Sequence, residues 1–145
     1  MDWQTPEREH QGRGYKVPNG ALYTTIGDLA RFVSFELGEG PASVLTKQTL
    51  SDNFKRIVVM TDDYNVYLAS GYGIGYRLRR QGEFIIFGHA GGVAGYEARA
   101  DFDPVSGIGI VILRNTGGKS VHVATSRLAG QALEKLVTAR RGSVK

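Results

Sequence analysis

Residues 87–96 read Phe87-Gly88-His89-Ala90-Gly91-Gly92-Val93-Ala94-Gly95-Tyr96. An apolar run over residues 84–87 leads into this stretch, and the alternation of Tyr96, Ala98, Ala100 and Phe102 leads out of it. The pattern predicts two strands joined by a bend that holds four glycines and one histidine. Glycine at that density brings backbone close to other backbone, or close to a ligand. The free N–H groups of such a bend can hold an anion or an oxyanion. Taken alone, the ten residues also satisfy a plainer reading, a tight turn with no ligand.

The residues downstream narrow the choice. Asp103-Pro104-Val105-Ser106-Gly107 reads as a turn, the apolar run Ile108–Arg114 as a strand, and Asn115 follows it. In order, spacing and flanking elements this resembles the third active-site motif of the serine β-lactamase and penicillin-binding-protein superfamily. The branch it is most similar to holds the class C β-lactamases, the D-alanyl-D-alanine peptidases and related esterases. In that family a Lys-Thr-Gly or His-x-Gly triplet ends a strand beside the nucleophile, and here the triplet is His89-Ala90-Gly91. The resemblance spans residues 15–140 and includes Gly20-Ala21-Leu22-Tyr23-Thr24-Thr25, where the family has a Gly-Leu-Tyr-Ser-Thr segment opening a helix at the border of the site.

Composition sets outer bounds. The chain has 145 residues, 41% hydrophobic and 22% charged, which suits one globular domain with a buried core. The formal net charge of +4 is concentrated in Arg77, Arg79 and Arg80 and again in Arg140, Arg141 and Lys145. No nucleic-acid-binding module accompanies these clusters, so no nucleic-acid partner is expected. With no cysteine, thiol catalysis and disulfides are excluded. No apolar run approaches the roughly 20 residues that span a bilayer. His10, His89 and His122 lack metal-ligand spacing, and neither a metal nor any cofactor is expected.

Along the chain, residues 1–20 are polar and glycine-containing, an irregular lead-in segment. Residues 21–37 predict a helix. Thr25-x-x-Asp28 has the form of a capping box, Ile26, Leu29, Ala30, Val33 and Leu37 share a face, and Gly38 stops it. A short helix over residues 46–54 is capped by Thr46 and turns Leu50 and Phe54 inward. Its Ser51-Asp52-Asn53 copies a second-motif triplet of class A β-lactamases, but follows the wrong helix and reads as a solvated face. Residues 57–69 fit a strand or a loop. Residues 70–80 alternate, with Tyr72, Ile74, Tyr76 and Leu78 on one side and glycines on the other, and predict a single strand. A dinucleotide-binding role for those glycines is set aside because no strand-turn-helix surrounds them. One wet face is expected for residues 96–102 and two covered faces for Ile108–Arg114. Val121, Ala124, Leu128, Ala132, Leu136 and Val137 predict a helix over residues 120–139. The fold class is α+β: an antiparallel sheet of about four to five strands, a C-terminal helix packed on it, and helices before it.

What the resemblance implies for chemistry is acyl transfer through a serine, on a peptide, ester or β-lactam. Gly92 N–H would be one oxyanion donor, with the nucleophile's own N–H as the other. His89 would meet substrate carboxylate or the tyrosine base. Ala90 replaces the usual Thr and removes a hydroxyl, which leans toward a peptidase-like or esterase-like member. Gly91 would let substrate lie along the strand as an added strand. Tyr23 is either a packed aromatic or a ligand contact, and Asn115 borders the site. The family also needs a Ser-x-x-Lys and a Tyr-x-Asn, and neither occurs in the sequence. No Gly-x-Ser-x-Gly elbow is present either. Ser120 and His122 both begin a helix, and their proximity in sequence does not make a triad.

The chain is therefore expected to be the C-terminal part of a β-lactamase-like domain, inactive alone, with a periplasmic or secreted setting if a parent follows the family. Two alternatives stay open. One is a non-catalytic binding module on the same half-fold. The other is a chain completed by a partner, or by a second copy, through residues 108–114. There the family places N-terminal strands, and an apolar edge would invite association.

Overall fold

The structure, a computed structural model, describes residues 20, 22–55, 58–59, 71–81, 83–93, 95–116 and 124–142. Their organising element is a sheet of six antiparallel strands in sequence order: β1 (Val58–Val59), β2 (Gly71–Tyr72), β3 (Arg77–Gln81), β4 (Phe84–Val93), β5 (Tyr96–Asp103) and β6 (Ile108–Arg114). Each strand pairs with its sequence neighbour, as short connections favour. The count exceeds the expected four to five partly because residues 70–80 are not one strand. The Gly73 N–H donates to the Tyr76 carbonyl at 2.8 Å and closes a hairpin across Ile74 and Gly75. Gly75 has φ of 80°, which a glycine adopts without strain. The alternation that mimicked a strand comes from two strands meeting at a turn.

The bend expected over residues 87–96 is also corrected. Strand β4 runs straight through the glycines, and the register continues Gly91↔Ala98, Gly92↔Glu97, Val93↔Tyr96. Only the tip of the hairpin turns, where Gly95 has φ of 85°.

Helices cover both faces. Helix α1 (Ile26–Ser34) starts where the capping box predicts: Thr25 Oγ1 accepts from the Asp28 N–H at 3.1 Å. It runs into a π-helical turn (Phe35–Glu39) that ends around Gly38, φ 85°. Val33 is buried and packs with Phe87 and Phe102, with Leu37, Tyr76, Leu78, Ala100 and Val111 around them. Ile26, expected on the inner face, is exposed. Helix α2 (Lys47–Lys55) has the Thr46 cap, with the Thr49 N–H donating to Thr46 Oγ1, and buries Leu50. Asp52 is half-buried and accepts from Gln48 within the helix, and the side chain of Asn53 lies outside the described set. The side chain of Phe54 and the residues of the 57–69 segment other than β1 lie outside the described set.

On the opposite face, α3 (Thr125–Gly142) sets Leu133 and Val137 against Ile86, flanked by Phe84, Ile108 and Ile110. Its buried row is Thr125, Ala129, Leu133 and Val137, with Gly130 buried beside it. That row is a one-in-four stripe that keeps Val137 of the expected one, whereas Leu128 and Leu136 are exposed. The described helix starts at Thr125, and Ser120 and Val121, its expected start, lie outside the described residues. Strand β5 has no wet face: Asp101, Phe102 and Asp103 are all buried, because α1 and α3 both pack on it. Strand β6 also has α1 on one side and α3 on the other, as its continuous apolar run implies.

Candidate active site

Strand β4 divides into two halves. Residues 84–88 pair with β3 on one side, Phe84↔Gln81 through Gly88↔Arg77. Beyond Gly88, β3 has ended, and residues 89–93 pair only with β5 among the described residues. The motif His89-Ala90-Gly91-Gly92 lies wholly in this second half. In a strand, alternate residues turn their backbone N–H and C=O groups to the same edge. Residues 89–93 thus present a short row of donors and acceptors on the side that β3 leaves. Such a row can accept an extended segment as an added strand, or hold an oxyanion on an N–H.

Alternation from Phe87, which packs toward α1, places His89, Gly91 and Val93 on the α1 face and Ala90 and Gly92 on the α3 face. His89 is exposed, and its Nε2 lies 2.8 Å from the hydroxyl of Tyr72 on β2. The two rings meet edge to face, with centroids 6.1 Å apart. Tyr72 was legible in the sequence only as one aromatic of an alternating run. The hairpin at residues 73–76 carries it back beside His89, and no sequence spacing announces that.

Gly88 has a different reason to be glycine from the one its neighbours suggest. A Cβ there would collide with Asp101 Oδ1 and the Ala100 carbonyl. Asp101 is fully buried, and its Oδ2 accepts from Arg79 Nη2 and from Arg99 Nε, each at 2.7 Å. Burial pushes the Arg79 guanidinium below its ordinary value, and the Asp101 charge opposes that shift. Two arginines on one carboxylate oxygen offset the cost of removing these charges from water. The other oxygen, Oδ1, has no partner among the described residues and faces Gly88. This cluster backs the root of the motif, directly before His89.

A second polar network backs Gly92. Its register partner is Glu97, which is in turn opposite Arg114. Glu97 Oε2 accepts a short hydrogen bond from Thr125 Oγ1, and Arg114 Nη1 donates to the same hydroxyl at 3.4 Å. Thr125 is the buried first residue of α3, so the network fixes the start of that helix against the strand pair behind Gly92.

The remaining expected residues lie further out. Asn115 is exposed just past β6, at the same end of the sheet as Gly92. Strand β5 intervenes, so about 10 Å of sheet, two strand spacings, separates them. Tyr23 is exposed in the lead-in to α1, two residues before the Thr25 cap. Beside the π-helical turn, the buried Glu36 and the half-buried Tyr76 share a hydrogen bond. Burial raises the Glu36 carboxyl above its ordinary value, with the Tyr76 bond opposing, and burial together with Glu36 raises the Tyr76 phenol. Among the described residues there is no cluster of His, Asp or Glu suited to a metal ion, and no helix long and apolar enough to cross a membrane.

Comparison with curated proteins and with solved structures returned no match. Comparison with family models returned one, described as Beta-lactamase, over residues 1–134. That span takes in α1, α2, all six strands and the first half of α3, and so contains the His89-Ala90-Gly91-Gly92 strand together with the elements that back it. The chain belongs to the β-lactamase family.

Proposed function

We propose that this chain forms the third-motif wall of a serine acyl-transfer site acting on peptide, ester or β-lactam substrates. The observation that carries the reading is the half-paired end of β4: residues 89–93 pair with β5 alone among the described residues, and His89 stands at the point where β3 stops. Substrate would add along that edge, over Gly91, with the Gly92 N–H directed at the oxygen that becomes negative in the tetrahedral intermediate. A serine hydroxyl would attack the acyl carbon, and its proton would pass to a neighbouring base. Collapse of the intermediate would break the bond from the acyl carbon to the amine nitrogen or alcohol oxygen, which takes up that proton, and water would then release the acyl group from serine as the acid. Neither Ser-x-x-Lys nor Tyr-x-Asn occurs in the sequence, so the serine and its bases have to come from other polypeptide. Ala90 offers substrate no hydroxyl, which favours a peptidase-like or esterase-like reaction over β-lactam hydrolysis.

Intact-mass spectrometry after exposure to a fluorophosphonate, and separately to a penicillin, tests this. No adduct is expected on this chain alone. Adding a family N-terminal half that carries Ser-x-x-Lys is expected to restore ester hydrolysis, and Gly92→Pro, which removes the donor, to abolish it. An adduct on the isolated chain would show a competent serine within these residues and overturn the reading. A binding module on the same half-fold is the second reading, favoured by the same unpaired edge. It would show as saturable peptide binding with no turnover after complementation.

A further inference from the structure

We propose that Tyr72 is a positioning residue for His89, fixing which ring nitrogen faces substrate. The inference rests on His89 being part of the site. The contact is a single hydrogen bond of 2.8 Å between Tyr72 Oη and His89 Nε2. Two neutral partners can satisfy it in two ways: the phenol donates to a bare Nε2, or an Nε2–H donates to the phenol oxygen. A phenol is much the more acidic of the two donors and a bare imidazole nitrogen the better acceptor, so the phenol donates. The tautomer of a histidine is set by the hydrogen bond its other nitrogen makes. Neutral His89 is then the Nδ1–H form. Nδ1 has no partner among the described residues, and the ring is exposed.

The consequence concerns what His89 can recognise. With Nε2 occupied, the exposed ring offers a single N–H donor and no free lone pair. It suits an acceptor oxygen of substrate, a carboxylate or an acyl carbonyl, and does not suit a hydroxyl or amide that must donate. The same contact withholds Nε2 from service as a general base. The edge-to-face ring contact, centroids 6.1 Å apart, holds the imidazole plane as well as its proton.

Two-bond ¹H–¹⁵N correlation spectra of the histidine ring, recorded on this chain where the imidazole is neutral, read the tautomer directly. Wild type is expected to show a protonated Nδ1 and a bare Nε2. Tyr72→Phe retains the ring and removes only the hydroxyl. It is expected to move the tautomer ratio by about fivefold or more toward Nε2–H, the weight of one ordinary hydrogen bond. A wild-type His89 in the Nε2–H form, or a ratio unchanged in Tyr72→Phe with intact circular dichroism, would overturn the assignment. The wild-type spectrum alone decides if the variant does not fold. None of these outcomes depends on turnover, so the Tyr72 assignment can fail while the acyl-transfer reading stands, and the reverse.

Discussion

At the scale of single residues, the motif glycines do different things that the sequence writes with one letter. Gly88 leaves room for the buried Asp101 carboxylate and the Ala100 carbonyl. Gly88→Ala is expected to cost about 1–3 kcal/mol, the range for overpacking a filled interior, measured by urea unfolding. A wild-type stability would mean that Asp101 can move aside. Glu36 supplies a pH signature of its own. Burial holds its carboxyl above the ordinary 4.5. The folded state therefore keeps a proton that the unfolded chain has released, and folding binds protons in that window. The stabilisation is complete below about pH 4.5 and is lost as pH rises through the folded-state value. Urea midpoints taken across the acid-to-neutral range are expected to fall with rising pH from this term. Glu36→Gln, which can still accept from Tyr76, is expected to flatten it. Neither Gly88 nor Glu36 was legible from sequence as a packing residue, because each answers to a partner more than ten positions away.

At the scale of elements, local chemistry was legible and long-range pairing was not. Thr25 and Asp28 set the start of α1, and Thr46 that of α2, because a cap bonds within its own turn. The α+β class and the C-terminal helix followed from periodicity. The 73–76 hairpin did not, since Tyr72, Ile74, Tyr76 and Leu78 keep a period of two straight through it. Gly75→Ala tests the turn: a left-handed φ of 80° imposes on alanine a penalty of about 1 kcal/mol. Because the hairpin carries Tyr72, the expected result is a modest loss of stability together with a disturbed His89 ring environment in the spectra above. The candidate site was legible as His89, Gly91 and Gly92 because the motif is contiguous. Its partner Tyr72 and its supports Asp101, Glu97 and Thr125 come from other strands and from α3, and only folding brings them in.

At the scale of the whole molecule, β6 is one of the two edge strands among the described residues, bonded to β5 alone. It is apolar from Ile108 to Leu113 save for one glycine, carries no charge before Arg114, and has helices against both faces. Such an edge recruits another strand. Multi-angle light scattering is expected to show mass rising with concentration, through pairing of β6 with a second copy or a completing partner. A constant monomer mass at high concentration would count against it. The same sheet also grades in support along β4. Its centre, Phe87 and Gly88, has a strand on each side and Phe87 packs with Val33, whereas residues 84–86 pair with β3 alone and residues 89–93 with β5 alone among the described residues. Mechanically the strand is a cantilever, rooted at Phe87 and Gly88 and free toward Val93, with the motif of residues 89–92 on the overhang. Amide hydrogen exchange is expected to be slow at Phe87 and Gly88, which have a paired strand on either side. Along the overhang every second amide should exchange quickly, and a ligand that docks there should slow that alternate set and leave the root unchanged.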